Sequence, residues 1–158
     1  RICHLQAGAA ERALEGKIKK AALADQAARR LIEVPTVGPI TASATVAKVT
    51  DVRVFRTARN FSAWVGLTGR DRGNGGKHRV GPISKQGDRM LRTLLINGAS
   101  SYLRHQKAHG MKDPWVRAML ARRPYKVVMV ALAARTARII WALLTTGERY
   151  RAPLPAAA

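Results

Sequence analysis

From Leu5 to Glu33 the chain has no proline, and Leu14, Ile18, Ala21, Ala28 and Ile32 recur at spacings of about three and four residues, the period of one helix face. The pattern predicts an amphipathic, coiled-coil-like helix. It could pair with another helix as an arm or pack on its own domain, and Asp25 on the same stripe and Gly16 within it both weaken the pairing. Val34-Pro35-Thr36-Val37-Gly38-Pro39 breaks the helix, and Ile40 to Val49 resumes one with Ile40, Ala44 and Ala47 inward. Helix, tight turn and helix read as a helix-hairpin-helix. In such an element the turn around Gly38 and the amino terminus of the second helix aim backbone N–H groups at a phosphate. Thr36 stands where the first glycine of the hairpin is usual, so a purely structural turn is an equal reading.

Further along come a short segment from Asp51 to Phe55 and a helix near Ala58 to Val65 with Phe61 and Trp64 inward. Residues 69–83 show no apolar period and read as a basic, glycine-rich loop. Asp88 to about His105 is helical, with Leu91, Leu94, Leu95 and Leu103 towards the core and Arg89, Arg92 and Arg104 mostly outward. After a turn from Gly110 to Pro114 and a short helix from Trp115 to Arg122, Val127 to Leu144 forms the last long helix, ended by Gly147. Arg135 and Arg138 interrupt that apolar segment, so it reads as a core helix; the chain has no run of about 18 apolar residues and no signal-peptide core. The expectation is an all-α fold: a helical arm over 1–33, a domain with the helix-hairpin-helix-like element over 34–150, and a disordered tail over 151–158. No internal repeat of about 20 to 50 residues is visible.

Composition narrows the partner. The 158 residues carry 29 Lys plus Arg against 9 Asp plus Glu, a formal net charge of +20. Such a molecule repels itself unless a polyanion neutralises it, which makes nucleic acid the leading partner class, and the excess of arginine suits bidentate phosphate contacts. A hydrophobic fraction of 47% sets it apart from a disordered basic tail. The single cysteine, Cys3, excludes an internal disulfide framework and any multi-cysteine zinc site, and fits a reducing cytosol. The chain begins without Met and in helix, as a fragment of a longer protein would.

The candidate chemistry lies in residues 69–92, GRDRGNGGKHRVGPISKQGDRMLR. Gly75 and Gly76 allow close approach of the backbone to a ligand, and Arg70, Arg72, Lys77 and Arg79 supply counter-charge to a phosphodiester. Ser84 is the candidate nucleophile, with Lys85, Arg89 and Arg92 beyond it. A serine hydroxyl needs a base or strong stabilisation of the charged transition state, and these cations could neutralise the non-bridging oxygens of a five-coordinate phosphorus. By spacing alone, an N-cap role for Ser84 on the following helix is the stronger reading, with Asp88 competing for the same role. The histidines lack companion carboxylates; His105 and His109, four apart, read as a solvated helix end rather than a metal site. The acids supply no carboxylate cluster for a two-metal nuclease, so no metal site is expected in this chain.

Four stretches together, VPTVGPITASATVAKV, RNFSAWVGLTGRDRGNGGKHRVGPISKQGDRMLRTLL, RRPYKVVMVALAARTARIIWALL and the closing GERY, resemble the carboxy-terminal domain of the IS110/IS116 insertion-sequence transposases, also called bridge recombinases. The resemblance spans about residues 30 to 150. It implies that a full-length protein also has a RuvC-like domain with an acidic tetrad holding a divalent metal (Mg), absent here, and a coiled coil. It further implies DNA as substrate, a structured bridge RNA as guide, a homo-oligomer, and work in the bacterial cytoplasm at the nucleoid. The serine of the family's I-S-K-x-G segment, understood as the nucleophile that joins DNA, aligns with Ser84, and Gly75, Gly76, Lys77, Arg79 and Gly81 match its basic loop in type. The alternative function is a non-catalytic helix-hairpin-helix module that clamps DNA or structured RNA. A basic structural protein of a ribonucleoprotein particle is a third.

Overall fold

The structure, a computed structural model, describes the backbone of residues 2–74 and 77–152 and the side chains of residues 12–70 and 81–152. Among the described residues seven helices carry the fold, α1 (Ile2–Ala24), α2 (Gln26–Ile32), α3 (Pro39–Lys48), α4 (Ala58–Trp64), α5 (Arg89–Ala108), α6 (Pro114–Leu120) and α7 (Tyr125–Thr146), with a 3-10 turn at Val52–Val54. The class is all-α, as the apolar periods predict.

Two differences from the sequence reading stand out. The first helical segment is two helices, because the Asp25 carboxylate accepts the Ala28 N–H at 2.9 Å and caps α2. The residues that go inward are Ala22, Ala28 and Leu31, whereas Leu14 is 61% exposed and Ala21 is on the surface. The second difference is residues 69–83, which form an antiparallel hairpin, β1 (Gly69–Asn74) with β2 (Lys77–Ile83), rather than a loop. Gly69 pairs with Ile83, Arg72 with Arg79 and Asn74 with Lys77, and the register is irregular between Gly69 and Asp71. The ribbon has no apolar alternation to betray it; the available signal in the sequence was the Gly75-Gly76 pair between Asn74 and Lys77, a favoured two-residue hairpin connection.

The core forms around α7, which buries Val128, Leu132, Ala133, Thr136, Ala137, Ile140 and Leu143. Against it lies α5, contributing Leu91, Leu95, Ala99 and Leu103 at helical spacing. Although α7 is long and apolar enough to cross a bilayer, it carries Arg135 and Arg138 and its apolar face packs inside the fold. α4 packs on α7 through Phe61, which joins Phe55 and Trp64 in an aromatic cluster with centroids 5.2 to 5.8 Å apart. The Trp141 indole N–H donates to the Phe55 carbonyl at 3.1 Å and ties the cluster to α7.

The turn between α2 and α3 enters this core. Val34, Thr36 and Val37 are buried, and Thr36 shares a 2.7 Å hydroxyl hydrogen bond with Thr136 of α7. α5 meets the turn at Gly98, where a Cβ would lie 2.1 Å from the Thr36 carbonyl oxygen. α3 then runs antiparallel to α5, and its far end places Lys48 Nζ 2.6 Å from Asp88 at the start of α5. The inward face of α3 is Thr41, Ala42 and Thr45. The expected Ile40 is 39% exposed and Ala47 lies on the surface. Thr45 can be buried because its hydroxyl donates to the Thr41 carbonyl at 2.7 Å, leaving only its methyl to meet the core.

The Ser84 turn and its cationic surroundings

Residues 84–88 connect the hairpin to α5 and close over the carboxyl end of α4. The last carbonyls of a helix have no partners within it, and this turn supplies them. Lys85 N–H donates to the Gly66 carbonyl at 3.2 Å, Asp88 N–H reaches the Trp64 carbonyl at 3.4 Å, and the Arg92 guanidinium donates to the Val65 carbonyl at 3.0 Å. The seat is tight enough that a Cβ on Gly87 would meet the Trp64 oxygen at 1.8 Å. Gly87 has φ of 110°, and Lys85 takes φ of 56°, a left-handed conformation that side chains other than glycine seldom adopt.

Ser84 is half-buried at the head of this turn. Its N–H donates to the Thr68 carbonyl at 2.9 Å and its carbonyl accepts from the Arg70 guanidinium at 3.2 Å. Among the described residues its hydroxyl makes no hydrogen bond. It is not the cap of α5: that cap is Asp88, whose carboxylate accepts the Leu91 N–H at 2.7 Å while its other oxygen takes Lys48. Burial works to raise the Asp88 pKa, but the Leu91 N–H, the Lys48 ammonium and the Met90 N–H together hold it below its ordinary value. The cap reading of Ser84 is thus overturned, because the turn spends four residues crossing α4 before α5 begins.

The structure brings Ser84, Arg70, Lys85 and Arg92 together around the α4 terminus, with Arg89 exposed on the first turn of α5. Arg92, expected outward, is half-buried and its guanidinium serves the Val65 carbonyl. Arg72 lies on β1, and Lys77 and Arg79 on β2, with their side chains outside the described residues; Gly75 and Gly76 lie outside them altogether. Gly38 is remote from this cluster. It caps α3 at the opposite end from Lys48, ten residues or about 15 Å away along the helix axis. Its φ of −90° suits any residue, and a Cβ there would meet nothing within 4 Å, so the fold itself gives no reason for a glycine. Lys48 was missed by sequence reasoning, since only the antiparallel docking of α3 on α5 brings it to Asp88.

At the far end of α5 the rings of His105 and His109 stack 4.1 Å apart, and His109 Nδ1 lies 3.0 Å from the His105 carbonyl. Among the described residues no three His, Cys, Asp or Glu side chains gather as a metal site would require. Apart from Asp88, already paired with Lys48, neither α3 nor residues 81–108 contain a carboxylate of their own, and Asp113 meets α5 at Tyr102, near its far end.

Known proteins place this arrangement. Residues 28–116 match the family described as Transposase IS116/IS110/IS902 family. The chain is 46% identical over 139 residues to a family 20 transposase of Pseudomonas aeruginosa, covering 87% of this chain and 41% of the relative. It is 44% identical over 140 residues to a protein of Sinorhizobium fredii named as transposase y4pF/y4sB, covering 87% and 36%. It is 43% identical over 138 residues to the transposase for insertion sequence element IS1111A of Coxiella burnetii, covering 87% and 38%. The chain therefore spans well under half the length of these relatives. With the match covering the α2–α3 turn, the Ser84 turn and the whole of α5, this chain belongs to the IS116/IS110/IS902 family of transposases.

Proposed function

We propose that this chain is the DNA-acting, serine-bearing part of an insertion-sequence transposase, with Ser84 as the nucleophile on a DNA phosphodiester. The observation that carries the reading is the Ser84 turn itself. A serine whose hydroxyl makes no hydrogen bond among the described residues is held on a turn whose Lys85 and Asp88 N–H groups bond two carbonyls of the α4 terminus, beside Arg70, Lys85 and Arg89. A rigidly presented hydroxyl amid cations is what in-line attack on an anionic phosphorus requires.

In the proposed step the Ser84 Oγ–phosphorus bond forms, one phosphorus–oxygen ester bond to a deoxyribose breaks, and the departing sugar oxygen takes up a proton while the serine gives one up. Attack by a sugar hydroxyl on the resulting phosphoserine reverses the exchange and rejoins DNA. Lys85 and Arg89, with Arg79 from β2, neutralise the non-bridging oxygens; Arg70 and Arg92 hold the turn. No base for the serine proton and no carboxylate set for Mg2+ is present among the described residues. Both are assigned to a RuvC-like domain elsewhere in the full-length, homo-oligomeric protein, where a guide RNA selects the DNA in the bacterial cytoplasm.

Covalent trapping with the full-length protein, its guide RNA and labelled DNA tests this. Ser84→Ala should abolish the protein–DNA adduct and leave stability within about 0.5 kcal/mol, since no cap is lost. An adduct that persists undiminished in the variant sinks the nucleophile assignment. The second reading, a non-catalytic helix-hairpin-helix clamp, is favoured by Gly38, whose lack of a Cβ serves no contact within the fold but would admit a phosphate against the N–H groups at the start of α3. It predicts no adduct, and a loss of DNA affinity in Gly38→Val with unchanged folding.

A further inference from the structure

Along the outer side of α5, Arg89, Thr93, Asn97, Ser101 and Arg104 follow one another at spacings of four, four, four and three, and all five are exposed. They lie away from the buried stripe of Leu91, Leu95, Ala99 and Leu103. The middle three are unusual for the surface of a 20-residue helix. Thr, Asn and Ser favour a helix less than Ala, Lys or Glu do, and exposed positions are where nothing in the core dictates the choice. None of the three supports the fold. Thr93 bonds only to the Arg89 carbonyl one turn back, Ser101 accepts only from Arg104 at 3.4 Å, and Asn97 has no hydrogen-bond partner among the described residues. Asn97 and Ser101 also line an open groove of about 760 Å³ between α5 and the start of α3.

We infer that this stripe is a duplex-DNA contact face that extends from the Ser84 turn, with Arg89 and Arg104 on phosphates and Asn97 at base edges between them. It rests on the reading that the chain acts on DNA. Arg89 and Arg104 are separated by about 22 Å along the helix, some six base-pair steps. The short side chains between them keep the helix surface low, so that a nucleic acid can approach it closely. An asparagine amide offers a donor and an acceptor together, as an adenine edge in the major groove requires. A protein partner helix would call for apolar anchors at helical spacing, which the stripe lacks. The major groove of duplex RNA is too deep and narrow for such a face, whereas that of B-form DNA admits a helix. The absence of any carboxylate on α5 supplies the charge complementarity.

The test is binding of a fluorescent B-form duplex by the 158-residue chain and its variants. Asn97→Glu should weaken affinity by about tenfold or more, beyond any loss in Ala118→Glu, the same charge change on the exposed side of α6. Thr93→Ala, Asn97→Ala and Ser101→Ala combined should weaken binding severalfold while the melting temperature stays level or rises, because alanine is the better helix former. Equal effects of Asn97→Glu and Ala118→Glu would mean that only the overall field matters and would overturn the face. So would undiminished binding by the triple alanine variant, or tighter binding of duplex RNA than of DNA. Ser84→Ala separates the two proposals. If Asn97→Glu loses duplex affinity while adducts form without regard to Ser84, only the nucleophile reading falls. If adducts require Ser84 and Asn97→Glu binds like the parent chain, only the α5 face falls.

Discussion

Replacing Gly87 by alanine measures how firmly the Ser84 turn is seated. The added Cβ would lie 1.8 Å from the Trp64 carbonyl oxygen and 2.9 Å from its carbon, so the obstacle is backbone and not a side chain that can swing aside. Relief requires the turn to lift by roughly 1 Å or more, and overpacking of this kind costs about 1–3 kcal/mol. The same oxygen accepts the Asp88 N–H at 3.4 Å, a contact with no slack to survive the shift. A φ of 110° adds backbone strain of roughly 1–2 kcal/mol for a residue with a Cβ. The lower entropy of an unfolded alanine returns about 0.4–1 kcal/mol, leaving a net loss of about 2–4 kcal/mol. Gly110 is the internal control: its φ is 90°, yet a Cβ there meets nothing within 4 Å, so Gly110→Ala should show only the strain, about 1 kcal/mol or less after the same entropy return. Urea unfolding followed by far-ultraviolet circular dichroism gives both losses at comparable slope. If Gly87→Ala is no worse than Gly110→Ala, the turn is not packed on the α4 terminus and the bracing of Ser84 is wrong.

Gly98→Ala sets a clash of 2.1 Å with the Thr36 carbonyl, about 1–3 kcal/mol, against a helix-propensity gain of about 1 kcal/mol; a small net destabilisation is expected, and a higher melting temperature would refute the close approach. Asp88→Ala should cost about 0.5–2 kcal/mol through the lost cap, with the partly exposed Lys48 pair adding little. Because the folded Asp88 pKa is lowered, its contribution is present above the unfolded value and is lost as pH falls through the folded one. The gap between parent and variant in unfolding experiments should accordingly shrink below about pH 4, and a gap constant down to strong acid would count against the pairing. Burial, then the Asp113 carboxylate and its hydrogen bond, push the Tyr102 phenol up to about 12; a Tyr102→Phe difference titration by ultraviolet absorbance should show no ionisation near the ordinary 10.0, and a step there would contradict the contact.

The parts of this fold legible in the sequence are those where burial and periodicity coincide. Leu91, Leu95 and Leu103 mark the inner face of α5, and α7 announces itself as a core helix despite Arg135 and Arg138. Reading fails where a polar side chain satisfies itself. Thr45 goes inward while Ile40 stays exposed because a hydroxyl bonded to its own helix loses its polarity cost, which hydrophobicity ranking cannot register. It fails again where a contact is made between elements remote in sequence. By spacing Ser84 is the favoured cap with Asp88 its competitor, and only the crossing of 84–88 over the α4 terminus decides for Asp88. That decision changes what Ser84 is for, since it removes the structural duty that spacing had assigned to it.

Several residues are left unexplained by the fold. Lys85 holds φ of 56° where glycine would avoid roughly 1 kcal/mol of strain. Thr93, Asn97 and Ser101 together forgo roughly 1–2 kcal/mol of helix propensity relative to alanine on a surface that does not need them. Gly38 gives up a side chain where one would fit. In a chain whose other local choices agree with its architecture, from the Asp25, Thr57 and Asp113 caps to the glycine beneath Thr36, these exceptions are not scattered. They fall at the two ends and along the middle of one surface formed by the Ser84 turn, α3 and α5, whose own carboxylate, Asp88, is paired with Lys48. Stability forgone at three places on one face is accounted for together by the proposed duplex contact, since a polyanion laid along that face would act on all three.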